Sequence, residues 1–229
     1  MCGRYTLSKP GDILTELGVP EEEQIEIEPN YNVAPTQEVP IVRADGKGHR
    51  QVVMVRWGLI PFWAKDEKIG NQLINARGES VAEKPAYKNA FKRRRCLLLA
   101  DGFFEWQKQG KVKQPFHIHL EDHRPFVMAG LWERWTKGEK PIESCTVITT
   151  DANSKVAELH DRMPVILPPD ARDLWLDDSV DDAELLTSIL RPYPPGEMAF
   201  TPVSRMVNSP KNNSPDVLRP MRELSLFAD

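Results

Sequence analysis

Hydrophobic and polar positions alternate through the middle of this chain with the two-residue period of half-buried strands. Val39–Val42 is the first clear run; the turn Asp45-Gly46-Lys47-Gly48 and a β-branched return from Gln51 to Trp57 predict a hairpin. From Arg95 onward strands dominate, at 96–100, 103–107, 115–120, 125–133 and 145–150, with Gly110-Lys111 and Glu121-Asp122 in turns between them. Further strands are expected at 163–167 and 198–204. Helical periodicity is scarcer. Residues 11–18 suit one short helix stopped by Gly18 and Pro20, and 82–93 suit another. Asp and Asn open a predicted helix over 151–159, Pro168-Pro169-Asp170 opens one that contains Trp175, and 181–190 reads as the last.

Strands outnumber helices and no regular βαβ alternation appears, so the pattern argues for an α+β fold. One domain over 1–229 is expected, with a mainly antiparallel, barrel-like sheet and short peripheral helices. The last twenty to thirty residues, rich in Pro, Asn and Ser, are expected to run over the surface as extended chain.

Composition changes this picture little. With 229 residues, 40% hydrophobic and 28% charged, the chain can bury a substantial core. No run approaches the roughly 18 apolar residues of a membrane span, and the N-terminus lacks a stretch fit for a signal peptide. Three widely spaced cysteines, Cys2, Cys96 and Cys145, form no CxxC pair, so neither a disulfide framework nor a zinc site is indicated. A reduced, cytoplasmic protein without cofactor or metal is expected. Net charge is −4, with acidic runs at Glu21–Glu23 and Asp177–Asp182 and a basic run at Lys92–Arg95. Each run reads first as solvated surface, although basic residues gathered on one face could still meet a polyanion.

Several residues could carry chemistry. Loss of Met1 would make Cys2 the terminus, placing an α-amine and a thiol on adjacent carbons. Such a pair condenses with an aldehyde and closes to a thiazolidine. An unperturbed amine of pKa about 7.7–8.0 and a thiol of about 8.5 leave usable amine and thiolate near neutral pH. Position alone also allows, and by itself favours, a cysteine that merely follows the start. Glu105 lies in Phe103-Phe104-Glu105-Trp106; a strand there puts it on the face of Phe103 and Gln107, with Phe104 and Trp106 opposite. Desolvation among aromatics would let it hold a proton as a general acid, or it is a strand-end carboxylate paired with an arginine. Asn75 and Arg77 share one face of an extended segment and suit a phosphate or sugar, or else a turn cap and an ion pair. His160 could be a base, a donor to oxygen, or a cap. His117 and His119, with His123 behind them, lack a standard metal-site pattern. Trp63, in Pro61-Phe62-Trp63, could offer a stacking surface to a base.

Taken in order, Met1-Cys2-Gly3-Arg4-Tyr5, Tyr31-Asn32-Val33-Ala34-Pro35-Thr36, Trp57-Gly58-Leu59-Ile60-Pro61 and Ile74-Asn75-Ala76-Arg77-Gly78-Glu79 form the first half of a joint pattern. Asp101-Gly102-Phe103-Phe104-Glu105-Trp106, His160-Asp161-Arg162-Met163-Pro164 and Pro202-Val203-Ser204-Arg205 complete it. The whole resembles the SRAP (SOS-response-associated peptidase) family of abasic-site-crosslinking proteins. That resemblance implies a sensor of abasic sites in single-stranded DNA, with Cys2 as nucleophile after loss of Met1. It implies Glu105, His160 and Asn75 as catalytic helpers. It further implies DNA contacts from Arg4, Asn32, Pro40, Trp63, Arg77, Arg162, Ser204 and Arg205. A monomer with weak lyase and autoproteolytic side activities is implied too, and nucleoid association if the source is bacterial. Rival readings are a cysteine peptidase using Cys2 with His160, and a non-covalent reader of modified DNA.

Overall fold

A computed structural model describes residues 2–11, 13–110 and 112–221. Met1, Asp12 and Lys111 therefore lie outside the described residues, as do residues 222–229 of the expected C-terminal tail. Twelve strands and four short α-helices are present among the described residues. The strands are β1 (Tyr5–Leu7), β2 (Asn30–Val33), β3 (Glu38–Ala44), β4 (Arg50–Trp57), β5 (Asn75–Arg77) and β6 (Arg95–Ala100), then β7 (Gly102–Gln109), β8 (Val112–Leu120), β9 (Phe126–Trp135), β10 (Ile142–Asp151), β11 (Arg162–Pro164) and β12 (Met198–Pro202). The helices are α1 (Ile13–Glu16), α2 (Lys88–Arg93), α3 (Pro169–Leu176) and α4 (Ala183–Ser188).

Five strands close a mixed barrel. Its ring runs β10, β4, β3, β6, β9 and back to β10, antiparallel throughout except where β10 lies parallel to β4. Closure removes the exposed edges that an open sheet would have to protect. The expected hairpin is β3–β4; its turn is tied by the Asp45 carboxylate, which accepts from the backbone N–H groups of Lys47 and His49 at 2.8 and 2.9 Å. Every residue of β6 is buried, because the barrel core takes one face and α3 covers the other. That double covering explains its unbroken Cys-Leu-Leu-Leu-Ala run. Arg95 leaves the expected solvated basic run: its guanidinium is buried and donates to the carbonyls of Phe91, Lys92 and Trp175, each at 2.7 Å, ending two helices at once.

A second, antiparallel sheet lies beside the barrel in the order β12-β8-β7-β1-β2. The chain crosses from barrel to sheet at one residue, Asp101, which separates β6 from β7. Its carboxylate accepts from Thr6 Oγ1 at 2.5 Å and from the backbone N–H groups of Ser8 and Lys9 at 2.6 and 2.7 Å. The N-terminal segment is thereby anchored at the junction. β5 and β11 add to the barrel by pairing with β10.

Several expectations need correction. The helix expected over 151–159 is only a 3-10 turn at Val156–Glu158; β10 runs through Asp151, and Asn153 alone caps, accepting from Lys155 and Val156 N–H. The helix expected over 82–93 starts at Lys88, and that over 11–18 is confined to Ile13–Glu16. Strands β1, β2 and β5 were not expected as strands: at three or four residues they carry no periodicity of their own. The C-terminal segment is no mere surface wrap. It carries 3-10 turns at Arg205–Asn208 and Pro215–Leu218, and Val207 and Val217 are fully buried with Phe104 and Val203 in a small second core.

Candidate active site

β7 alternates as its sequence demands. Phe103 enters the main core while Phe104 packs into the C-terminal cluster with Trp106 against it, so Glu105 faces the barrel side, where Cys2 lies. Backbone pairing fixes the approach of the N-terminus: Phe104 N–H donates to Arg4 O at 2.9 Å, and Tyr5 pairs with Phe103 on one side and Val33 on the other. Cys2 thus sits just ahead of a strand held on both edges, and it is fully buried.

Asn75 comes from the barrel side. β5 lies parallel to β10 with Asn75 opposite Val147, and Tyr87 Oη donates to Asn75 O at 3.0 Å. So fixed, Asn75 Nδ2 donates to Cys2 O at 2.8 Å. Its side-chain Oδ1 is buried with no partner among the described residues, an acceptor available to a bound group.

His160 arrives on a loop closed at both ends. Ala152 N–H donates to Asp161 O at 3.0 Å, and Gln107 Nε2 on β7 donates to Glu158 O at 3.2 Å. Arg162 N–H donates to His160 Nδ1 at 3.0 Å, while Asp161 Oδ1 lies 2.8 Å from the same nitrogen. Nδ1 cannot accept and donate together. The backbone donor is fixed by the start of β11, whereas the Asp161 side chain is 86% exposed and its ion pair is screened by water. The accepting Nδ1 prevails, which leaves the ring proton on Nε2 as a donor.

Burial sets the charges here. Desolvation pushes the Cys2 thiol up to about 12, with the negative field of Glu105 adding to the rise. The expected thiolate near neutral pH is therefore corrected: in the chain carrying Met1, Cys2 is a neutral thiol. Desolvation also raises Glu105 above the ordinary carboxylate range. Burial thus favours the neutral thiol and strengthens the hold of the Glu105 carboxyl on a proton, the reverse of what a thiolate–imidazole pair would need.

Cys2, Asn75, Glu105 and His160 thus converge. The expected DNA contacts divide. Arg77, Trp63 and Arg205 are exposed, Trp63 at 41% with its Nε1 donating to Pro85 O at 3.2 Å. Arg4 is engaged inside: its Nη1 donates to Asn32 Oδ1 at 2.7 Å and to Val207 O at 2.6 Å. Asn32 is fully buried, and its Nδ2 donates to the carbonyls of Val207, Ser209 and Asn212. These two residues bind the C-terminal segment rather than facing solvent. Pro40 lies in no loop; it is a buried β3 residue opposite Met54, just beyond the β6 ladder that begins at Ile41, where a missing N–H is tolerated. Ser204 caps a 3-10 turn by accepting from Met206 N–H. Arg162 is clamped: both Nη atoms meet Glu79, at 3.0 and 2.8 Å, and Nη1 also meets Asp151 at 2.7 Å. Sequence reasoning missed Tyr87, which gives no local signal, and Glu79, which stands two residues past Arg77 in a segment already singled out. No group of three or more metal-ligating side chains is assembled among the described residues; the His119 and His123 rings stack with centroids 4.2 Å apart, and the His117 ring lies tilted against His119 at 5.3 Å.

Comparison with known proteins completes the account. A family model described as SOS response associated peptidase (SRAP) matches residues 1–210. The abasic site processing protein YoqW of Bacillus subtilis (strain 168) is 43% identical over 222 residues, spanning 95% of this chain and 99% of that one. The abasic site processing protein YedK of Escherichia coli (strain K12) is 31% identical over 229 residues, spanning 96% of this chain and 100% of that one. A solved structure from Bacteroides thetaiotaomicron matches with a TM-score of 0.84 at 28% identity, covering 96% of this chain and 100% of that one.

Proposed function

We propose a function from one settled premise, that the chain belongs to the SRAP (SOS response associated peptidase) family. The protein processes abasic sites in single-stranded DNA by capturing the open-chain sugar aldehyde on Cys2 once Met1 is removed. The observation that carries this reading is the Asn75 amide holding Cys2 O at 2.8 Å, with Glu105 close enough to raise the thiol's pKa.

The chemistry balances around Glu105. The free amine of Cys2 adds to C1′ and gives a carbinolamine. Glu105, whose hold on a proton is strengthened by burial, donates that proton to the hydroxyl; water leaves and an iminium remains. The carboxylate so formed takes the proton of the Cys2 thiol as Sγ bonds to C1′, closing a neutral thiazolidine and restoring the acid. This route needs no preformed thiolate, which agrees with a thiol held at about 12. His160 Nε2–H donates to the freed sugar hydroxyl, and Asn75 Oδ1 accepts from the terminal amine. A side route exists at the iminium: loss of a C2′ proton expels the 3′-phosphate oxygen and cleaves the strand. A peptidase using Cys2 and His160 is disfavoured, because such a pair lowers a thiol pKa and here it is raised.

Purified protein mixed with a single-stranded oligonucleotide bearing one abasic site tests this. The adduct should survive boiling in detergent, and its intact mass should equal protein without Met1 plus DNA less one water. Cys2→Ala keeps the amine and loses the thiol, so it should yield cleaved strand and a borohydride-trapped Schiff base instead of stable adduct. Equal and durable adduct from Cys2→Ala would sink the proposal, as would a wild-type complex that dissociates on denaturation.

A further inference from the structure

We propose that the groove between the end of α2 and β9 is a second nucleic-acid contact, binding the phosphate backbone of the DNA strand that flanks the captured nucleotide. The inference rests on the DNA-directed reading of the Cys2 site and extends it to a surface that reading does not use. The groove has a volume of about 640 Å³ and is lined by Phe62, Lys92, Arg93, Arg94, Trp132 and Arg134, with Glu133 at its floor.

Charge is the first argument. Lys92, Arg93 and Arg134 are exposed and make no ion pair among the described residues. Glu133, the one acid in the lining, is buried and already neutralised: Arg94 Nη2 meets its Oε2 at 2.9 Å, and its Oε1 accepts Arg134 N–H at 2.9 Å. Three uncompensated cations therefore face solvent on a chain whose net charge is −4. A polyanion is the complementary partner.

Flat side chains are the second. Phe62 is 45% exposed, and Trp132 is half-buried with the Arg43 guanidinium 4.1 Å above its ring centroid. Cations interleaved with aromatic surface suit a strand whose phosphates and bases must both be met.

Placement is the third. Phe62 adjoins Trp63, whose indole is tied to Pro85 O. Tyr87 bonds Asn75 and immediately precedes α2; Arg94 O, at the far end, accepts Trp132 N–H at 2.9 Å. Lys92 and Arg93 stand five and six residues past Tyr87, at the end of α2, a helical rise of about 8–9 Å. A strand leaving the Cys2 pocket along α2 reaches these cations within a few nucleotides.

The triple variant Lys92→Ala/Arg93→Ala/Arg134→Ala tests this, since its exposed side chains can be removed without touching the core, and an unchanged thermal melt will verify folding. Anisotropy titrations use undamaged, labelled single strands of about five and about fifteen nucleotides over a range of salt. On the longer strand the variant should bind about tenfold more weakly, and its log–log salt slope should fall by about 2, near 0.7 for each phosphate that is no longer neutralised. On the shorter strand the two proteins should agree. Equal slope and affinity on the longer strand would overturn the proposal. So would a polyglutamate chain of matched charge displacing that strand from wild type at equal concentration, which would assign the groove to an acidic protein. A short abasic oligonucleotide reports separately on the Cys2 reading: both proteins should crosslink it at one rate, and failure in wild type indicts the pocket chemistry, not the groove.

Discussion

The barrel and the open sheet share one core, yet they bury polar groups on different terms. In the barrel these are mostly hydroxyls that settle neighbouring backbone: Ser144 Oγ accepts Ile60 N–H at 2.8 Å, and Thr149 Oγ1 lies 3.4 Å from Ala76 O as a weak donor. Glu133, a buried acid there, is paired with Arg94. The open sheet and its margin bury Cys2, Glu105 and His117, whose protonation states burial itself decides. His117 is pushed down to about 3 and stays neutral. A hydroxyl that finds a backbone partner costs little, whereas a buried titratable group is held at the expense of stability. The barrel strands bury titratable groups too, Cys96, Cys145 and Arg95, but the acid assigned to the reaction, Glu105, stands on the open sheet.

The sharpest way to break that contrast is Glu105→Gln. Losing the acid should slow crosslink formation by about 10²–10⁴ while leaving non-covalent DNA affinity nearly intact. Stability should move the other way. Because the folded pKa of Glu105 lies above its ordinary 4.5, the folded state binds its proton more tightly than the unfolded chain. Wild-type stability therefore falls as pH rises from about 4.5 through the folded pKa, and the glutamine variant lacks that fall. Melting curves across pH should show the variant gaining on wild type as pH increases. The reaction rate of wild type should be bell-shaped: the acid limb reflects protonation of the amine, the alkaline limb loss of the Glu105 proton. A variant that is both slower and less stable at every pH would mean that Glu105 holds the sheet together and that the contrast is false.

Legibility followed strand length rather than region. The long strands of barrel and open sheet alike announce themselves, because β3–β4 and β6 to β10 are long enough to display alternation and are punctuated by turn residues. β1, β2 and β5 do not, since three or four residues become a strand only when a distant partner arrives. For the site, the joint order of motifs singled out Cys2, Asn75, Glu105 and His160, which the fold then brings together. Spacing could not distinguish exposed arginines from engaged ones. Arg4 meets Val207 across 203 residues, and Arg162 meets Glu79 across 83, so the same motif positions that suggested phosphate contacts carry internal bonds. The Cys2 thiol was misjudged for a related reason: an unperturbed pKa describes a solvated terminus, and full burial is a tertiary fact.

Gly130→Ala probes the barrel from the other side. A Cβ at this β9 position would stand 2.2 Å from Leu98 Cδ1, 3.0 Å from Thr146 O and 3.1 Å from Cys96 Sγ. Leu98 can turn away, but the Thr146 carbonyl belongs to the β9–β10 ladder. Overpacking should cost about 1–3 kcal/mol, which for a chain of this length lowers the melting temperature by about 2–4 °C per kcal/mol. Crosslinking rate, measured well below that temperature, should be unchanged. A rate loss without a stability loss would show that barrel packing feeds the pocket directly, through β10 to β5 and Asn75.

Trp63→Ala asks the smallest question, whether the loop after β4 contributes a DNA contact or only supports those made elsewhere. Its loop will stay in place without the indole: Lys137 Nζ donates to the Trp63 backbone carbonyl at 2.9 Å, and Trp135 Nε1 donates to Ala64 O at 2.8 Å. The alanine variant should therefore melt like wild type. If the exposed ring stacks on a base, single-strand affinity should weaken by about fivefold, near 1 kcal/mol and at the low end for base–aromatic stacking. Trp63→Phe, which keeps a flat ring but cannot bond Pro85, should recover most of that loss in the same anisotropy titration. An alanine variant that binds like wild type would leave the Trp63 loop a scaffold alone; one that loses affinity which phenylalanine restores would carry the DNA path across this loop.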